Sequence, residues 1–326
     1  MKKLWFPCFV MLMTATALLV QPAMADYKQA VANYEQKKYA QAIQELKPDI
    51  VKNPEWESGY RLLGLCYLGL KDYAMAIDSF HQAAKLKSTA FSTYYGLGQA
   101  YLSLKQYDNG ISALNQAEPL AAGRDAEKLK ASVYELRGSA YYRTGKFNEA
   151  ANDLIKALRV NPSDWLNFNI LADSYFKLNR VDEAIQTWEK ALSMKPGESS
   201  INDALGKAYR KKGTDALSAK QYAEAVQALL KAKDFNPKDG YTFYNLGEAY
   251  QFQKNYAEAE KALNQAIVLM PKSPEAHWKL GYVYEKLKKW DPALNVYKKA
   301  DEISPSKATK EAIARVTENK KADKKK

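Results

Sequence analysis

A repeated pattern of small residues constrains the fold of this chain more than any other feature. A small residue is followed three positions later by an aromatic or small one in seven places: Gly64/Tyr67, Gly98/Tyr101, Gly138/Tyr141, Ala172/Tyr175, Gly213/Ala216, Gly247/Tyr250 and Gly281/Tyr284. The spacing is 34 residues, except for one step of 40 and one of 41. Alanine or glycine twelve residues further on keeps the same spacings, and prolines close most of the units. Three series that shift together indicate a repeat architecture.

The residue types in this pattern predict pairs of antiparallel helices. Gly64 on a first helix and Ala76 on the second would let the two helix axes approach closely, since larger side chains would hold them apart. Tyr67 would fill the space toward the next pair. A closing proline such as Pro162 ends the second helix because it has no backbone N–H to donate. One hairpin cannot bury its own apolar surface, so the pattern predicts a stack of hairpins.

These residues resemble the tetratricopeptide repeat family, whose 34-residue helix-turn-helix unit has the same small and aromatic positions and a closing proline. The resemblance implies an all-α fold, a right-handed α-solenoid of about eight repeats that forms one continuous array over residues 26–307. In the register of the motif the units are 23–56, 57–90, 91–124, 131–164, 165–198, 206–239, 240–273 and 274–307. The third unit lacks a closing proline, so its second helix is predicted to be the weakest.

The irregular spacings and the C-terminal segment complete this organisation. Residues 125–130 and 199–205 are inserts without interior Pro or Gly, and they predict longer first helices in the fourth and sixth units. Residues 308–319 alternate apolar and charged side chains with a helical period, which predicts a capping helix. Residues 320–326 are mostly lysine and are predicted to form a disordered basic tail.

The N-terminal segment, residues 1–25, is typical of a secretory signal peptide. Two lysines precede the apolar residues 4–20, and Ala-Met-Ala at residues 23–25 supplies a cleavage site. The pattern predicts export to the periplasm with a mature N-terminus at Asp26, and an uncleaved N-terminal membrane anchor is the alternative. Cys66 would be the single cysteine of the mature chain, so no intrachain disulfide is expected.

No sequence motif indicates catalysis. The two histidines, His81 and His277, are far apart in the chain and have no metal-ligand spacing, and neither a phosphate-binding loop nor a nucleophile elbow is present. We therefore predict a protein that is not an enzyme, without cofactor, metal site or small-molecule substrate. The chain has 49 basic and 37 acidic residues and a net charge of +12, which for an exported protein favours anionic surfaces over nucleic acid as partners.

The family resemblance implies that a partner binds in the concave groove lined by the first helices. In units six to eight the groove positions combine cations, an amide and aromatic rings, the residue types of binding hot spots. The candidate partner-binding residues are Arg210, Thr214, Tyr241, Tyr244, Asn245, Trp278, Lys279 and Tyr282. Arg210, Asn245 and Lys279 are similar to the carboxylate clamp of tetratricopeptide co-chaperones. Glu275 stands where that clamp has a lysine, and a negative charge there would repel a carboxylate.

Two functions remain open at the level of sequence. The first is a scaffold or adaptor of the cell envelope that holds an extended or helical segment of another envelope protein in the groove. The alternative is an anionic-polymer or membrane-surface binding protein in a cell-surface polysaccharide or envelope-maintenance system, which would use residues 320–326 and the basic C-terminal part of the groove. Salt distinguishes them, because binding through many lysines weakens steeply as ionic strength rises.

The export prediction has a direct test. Because residues 23–25 match a signal peptidase site, we expect N-terminal sequencing of the exported protein to begin at Asp26. Recovery of Met1 in the membrane fraction would support the N-terminal anchor instead.

Overall fold

The computed structural model describes residues 25–324, and these residues form helices and no strand. The signal-peptide prediction for residues 1–25 lies outside the described residues except for Ala25, where the first helix begins. Sixteen of the helices pair in chain order: α1 (Ala25–Glu35) with α2 (Tyr39–Lys52), α3 (Glu57–Gly69) with α4 (Tyr73–Lys85), α5 (Phe91–Ser103) with α6 (Tyr107–Ala117), α7 (Ala126–Arg143) with α8 (Phe147–Val160), α9 (Trp165–Lys177) with α10 (Val181–Met194), α11 (Ser199–Ser218) with α12 (Tyr222–Phe235), α13 (Gly240–Phe252) with α14 (Tyr256–Leu269), and α15 (Pro274–Lys286) with α16 (Trp290–Ile303). A last helix, α17 (Lys307–Asp323), follows them. The prediction of an all-α fold with about eight helical hairpins and a capping helix is confirmed.

The small residues of the repeat bring the two helices of each hairpin into contact. A Cβ atom on Gly247 of α13 would lie 2.5 Å from Cγ of Leu263 on α14. A Cβ atom on Gly64 of α3 would lie 2.7 Å from a ring carbon of Phe80 on α4. Both distances are shorter than side-chain carbons tolerate, so only glycine permits this separation of the helices.

The hairpins group into two compact units, an N-terminal half that ends at Pro162 and a C-terminal half that begins at Ser163. Each hairpin of a repeat protein packs mainly on its neighbours, so no single core is common to all the hairpins. Helices that follow one another also pack between hairpins within each half: α2 with α3, α4 with α5, α6 with α7, α10 with α11, α12 with α13, α14 with α15, and α16 with α17.

Both inserts extend the helix that follows them, as the sequence predicted. α7 begins at Ala126 and has 18 residues, and α11 begins at Ser199 and has 20, whereas α13 has 13. Ile201 and Leu205 in the extension of α11 are fully buried. The extra turns of α11 are therefore part of the packed structure of the C-terminal half.

A buried arginine connects the third hairpin to the fourth, beside the helix that the sequence predicted to be the weakest. α6 has 11 residues and passes into a 3-10 turn at Glu118–Leu120. Arg137 of α7 is 7% exposed, and its Nε and Nη2 donate to Asp153 of α8 at 2.6 and 3.1 Å. Its Nη1 donates to Glu118 at 2.7 Å and to Asn115 at 2.8 Å. The guanidinium therefore links the end of α6 to α7 and α8.

The same contacts set the charge state of Glu118. Burial alone would raise the pKa of its carboxyl group, but hydrogen bonds from Tyr134 and Arg137 and the positive charge of Arg137 outweigh burial and lower the pKa. The Tyr134 hydroxyl donates to Oε1 at 2.7 Å. Ionised Glu118 is thus favoured by the folded state.

The last helix is longer than the sequence predicted. α17 continues to Asp323, where residues 320–326 had been predicted to be a disordered tail, so that prediction is wrong for residues 320–323. Lys320 forms an ion pair with Asp291, and Nε1 of Trp290 donates to Asp323 at 3.0 Å. These partners on α16 give the charged C-terminal turn something to pack against, which composition alone does not reveal.

We expect Gly247→Leu to force α13 away from α14 and to loosen the hairpins on either side, α11–α12 and α15–α16. Overpacking combined with lost stacking predicts a loss of about 2 to 4 kcal/mol, measured by hydrogen exchange along the chain. Ala257→Leu is the matched control, because Ala257 is exposed on α14. Equal loss of protection in α3–α4 would contradict this nearest-neighbour account.

The Glu118 contacts predict a specific sensitivity to acid. A folded-state pKa below the ordinary 4.5 means that ionised Glu118 stabilises the fold above that pH, and the contribution is lost as the pH falls through the lower folded value. We expect Glu118→Gln to reduce the difference in unfolding free energy between pH 7 and about pH 3.5, measured by urea titration. Glu149→Gln, at an exposed position of α8, should leave that difference unchanged. An unchanged difference in Glu118→Gln would show that this carboxylate does not contribute.

Candidate partner-binding face

The candidate residues lie on three first helices of the C-terminal half. α11 contacts α13, and α13 contacts α15, in addition to the second helices that each packs against. We call the surface that the eight candidate residues share on α11, α13 and α15 the first-helix face. The three helices place all eight residues in neighbouring hairpins, as their motif positions predicted.

Arg210 of α11 is held by the start of α13. Its Nε lies 2.7 Å from Oδ2 of Asp239, and its guanidinium carbon is 5.8 Å from the ring centre of Tyr241. Asp239 caps α13, accepting from the backbone N–H of Tyr241 and from the Thr242 hydroxyl at 2.8 Å. The sequence analysis did not single out Asp239, although an aspartate directly before a helix is a helix-start signal.

Thr214, the second candidate on α11, is engaged within its own helix. Its hydroxyl donates to the backbone carbonyl of Lys211 at 2.8 Å. Lys211 in turn donates to Asp215 at 2.5 Å. The polar groups at these positions of α11 therefore already have partners.

Two groups on α13 remain available to a ligand. Tyr241 is 62% exposed, and Asn245 lies four residues later on the same side of the helix. Asn245 is half-buried, and its side chain makes no hydrogen bond to any other part of residues 25–324. A flat ring and an unpaired amide that can both donate and accept lie next to each other here.

Lys279 of α15 is paired across the hairpins with α13. Its Nζ donates to Oε1 of Glu248 at 2.5 Å and lies 5.4 Å from the ring centre of Tyr244. Both side chains of the pair are mostly buried, with 15% and 24% exposure. Burial raises the pKa of Tyr244 to about 12, and the charges of Glu248 and Glu275 add to the effect. Tyr244 is thus a neutral hydroxyl at physiological pH.

Trp278 belongs to the packing of the last hairpin as much as to the surface. Its ring stacks on Tyr282 at 6.2 Å and meets the edge of the fully buried Tyr297 at 6.2 Å. Its indole Nε1 is buried and has no hydrogen-bond partner within the described residues. The Nζ of Lys286 lies 5.0 Å from the ring centre of Tyr282.

The candidate residues include cations that already have a carboxylate partner and an aromatic ring that is open to a ligand. Arg210 and Lys279 are each paired with a carboxylate, so the two cations of the clamp-like pattern are already neutralised. Glu275, which stands where the clamp has a lysine, is exposed and accepts a hydrogen bond from Ser273 at 2.9 Å. Tyr241 remains the open aromatic group beside them.

Between residues 25 and 324, no cluster of three or more His, Cys, Asp or Glu side chains is arranged to hold a metal ion. No helix within this range combines the length and the apolar character needed to cross a membrane. Cys66 is buried, which raises the pKa of its thiol to about 12.

Stacked helical hairpins with candidate ligand contacts on their first helices define an α-helical repeat protein. Tetratricopeptide repeat models match residues 136–199 and 274–307, and a further TPR repeat model matches residues 252–288. A model of subunit 3 of the anaphase-promoting complex, or cyclosome, matches residues 50–117. The chain therefore contains tetratricopeptide repeats. No curated protein matches the sequence.

One solved structure shows the same fold at low identity, and two others are similar over part of this chain. The structure of Naa15/Naa10 bound to HypK-THB superposes with a TM-score of 0.54 at 16% identity, over 88% of this chain and 43% of that one. MamA 41-end from Desulfovibrio magneticus RS-1 has a TM-score of 0.40 at 24% identity, over 55% of this chain and 97% of that one. The first TPR of Spaghetti (RPAP3) bound to HSP90 peptide SRMEEVD has a TM-score of 0.35 at 22% identity, over 36% of this chain and 94% of that one.

The geometry of the face predicts different costs for two aromatic substitutions. We expect Trp278→Ala to lower the free energy of unfolding by about 3 kcal/mol, because it removes packing against Tyr282 and Tyr297. Tyr241→Ala should change it by less than about 0.5 kcal/mol, because that ring is exposed. Denaturant unfolding of the two variants measures both values. Equal losses of unfolding free energy would contradict the conclusion that Trp278 is part of the packing and that Tyr241 is open to a partner.

Proposed function

We propose that this chain is a non-catalytic scaffold of the bacterial cell envelope that binds a segment of another envelope protein on the first-helix face. The observation that carries the proposal is the pair formed by Tyr241 and Asn245, an open ring and an unpaired amide on one side of α13. The tetratricopeptide fold supports the general role of a protein-interaction scaffold. The first-helix face is the surface on which we propose that the partner binds.

The chemistry of this pair suits an extended segment. The Asn245 amide could pair with a backbone N–H and C=O of the partner, which a disordered or extended chain leaves open. Tyr241 could bury its exposed ring against a partner side chain, and truncation of such a ring commonly costs about 2 kcal/mol of binding free energy. The ion pairs of Arg210 and Lys279 on either side hold neighbouring helices in place, so little ordering is required on binding.

The envelope location rests on the N-terminal sequence pattern. A lysine-led apolar stretch with Ala-Met-Ala at residues 23–25 favours export. A protein partner is also consistent with the Naa15/Naa10 structure of the same fold, which is bound to HypK-THB.

A capture experiment with envelope extract tests the proposal. The chain from Asp26 to Lys326 would be compared with the double variant Tyr241→Ala/Asn245→Ala. We expect the double variant to capture its partner about tenfold more weakly, because it lacks both open groups. Val268→Ala is the matched control, since Val268 is 69% exposed on the second helix α14. Equal capture by the double variant and the control would show that the first-helix face does not bind the partner.

One structural feature favours the alternative, binding to an anionic polymer or membrane surface. An open cavity of about 370 Å³ at the turn between α15 and α16 is lined by four lysines and two aspartates: Lys288, Lys289, Lys320, Lys324, Asp291 and Asp323. Binding of an anion there should weaken steeply between low and high salt, and Lys288→Gln/Lys324→Gln should weaken it at every salt concentration. Binding through Tyr241 should depend much less on salt, so a salt titration of the captured partner distinguishes the two surfaces.

A further inference from the structure

The charges on the first-helix face differ from those of a site for a terminal carboxylate. Three of its cations already have carboxylate partners within the C-terminal half. Arg210 is paired with Asp239, Lys211 with Asp215, and Lys279 with Glu248: the N–O distances are 2.7, 2.5 and 2.5 Å. An incoming carboxylate would have to displace one of these intramolecular partners.

A row of exposed side chains runs along the face at the second motif position of each repeat. α9, α11, α13 and α15 follow one another through contacts between successive first helices. The same position on these four helices is occupied by Leu166, Lys207, Tyr241 and Glu275, which we call the second-position row. All four side chains are exposed. Tyr241 therefore lies between a cation on the α11 side and a carboxylate on the α15 side.

The α15 end of this row has a carboxylate without a cationic partner. Glu275 is exposed, and within residues 25–324 its side chain accepts the Ser273 hydroxyl and forms no ion pair. Its charge and that of Glu248 act on the hydroxyl of Tyr244, where burial and then these two carboxylates raise the pKa. Lys279 neutralises Glu248 here, so Glu275 is the carboxylate left without a cation among these three residues, although the chain as a whole carries a net charge of +12.

Tyr241 adds a second attraction for positive charge. The guanidinium of Arg210 lies 5.8 Å from its ring centre on the α11 side, and 62% of the residue remains exposed. A second cation could lie over the open part of the ring while its charge faces Glu275. Cation–π contact and an ion pair together discriminate a basic side chain from a neutral one.

We infer that the first-helix face selects an internal, extended segment that carries a lysine or arginine, which lies over Tyr241 and pairs with Glu275. The inference rests on the proposed function and names the chemistry of its partner. The carboxyl terminus of a partner is disfavoured on the α15 side of Tyr241, because Arg210 and Lys279 already have carboxylate partners and Lys207 lies on the α11 side. The basic residue lies beside a backbone stretch that pairs with the Asn245 amide.

Selection from random peptides tests this inference without knowledge of the natural partner. The chain from Asp26 to Lys326 would be used to select from two phage-displayed libraries of random peptides, one with fixed residues at both ends and one with a free carboxyl terminus. We expect lysine or arginine to be enriched about fivefold in the first library. Without Lys2 and Lys3 this chain has 47 basic and 37 acidic residues and a net charge of +10, which would attract acidic peptides without specificity, so basic enrichment reports the local site.

Three variants test whether Glu275 causes the enrichment of basic residues. Glu275→Gln should return basic residues to their starting frequency, and Glu275→Lys should favour acidic residues. Lys207→Gln is the matched control in the same row and should keep the basic enrichment. Enrichment of acidic carboxyl termini, or basic enrichment that persists in Glu275→Lys, would overturn the inference and leave the proposed function standing. If the wild-type chain selects no more peptide than Tyr241→Ala/Asn245→Ala does, both the inference and the proposed function are wrong.

Discussion

The close approach of the two helices in each hairpin is the constraint on which the rest of the structure depends. Gly247 leaves no room for a Cβ atom against Leu263, so α13 packs on α14 through this side. Residues on an α-helix are about 100° apart around its axis, so Asn245 is about 200° from Gly247 and points away from α14. The glycine that permits the hairpin therefore also fixes which side chains of α13 are left for a partner.

Ion pairs between hairpins then determine what those side chains offer. Exposed pairs contribute little to stability, but Lys279 and Glu248 are mostly buried, and removing either would leave a charge without a partner. Arg210 has a similar role at the helix cap formed by Asp239. These pairs hold successive first helices together and neutralise the cations that a carboxylate-binding site would need. The cations that resemble a carboxylate clamp in the sequence thus form ion pairs within the protein instead.

The repeat spacing predicted the hairpins and their longer variants because it reflects contacts within about 20 residues of the chain and between adjacent repeats. Motif position also placed the eight candidate residues on three neighbouring helices. It could not identify their partners: Arg137 is buried by Asp153 and Glu118, which lie 16 and 19 positions away in sequence. Lys320 likewise pairs with Asp291, 29 positions earlier, so lysine-rich composition wrongly predicted disorder there. Which charged side chains form ion pairs depends on how the helices pack, and the motif position of a residue does not give this.

Tyrosines at different motif positions have different environments: Tyr95 and Tyr244, at the fifth position, are both largely buried, whereas Tyr241, at the second position, is exposed. In the N-terminal half, Tyr95 of α5 stacks on Phe91 at 5.1 Å, and burial raises the pKa of its hydroxyl to about 12. Beside it, a Cβ atom on Gly96 would lie 2.4 Å from Phe80, so this part of α5 is filled by the protein's own ring. In the C-terminal half, Tyr241 leaves most of its ring in water. The third hairpin has Ser92 at the second position, so a partner can gain apolar burial at Tyr241 that this hairpin of the N-terminal half does not offer.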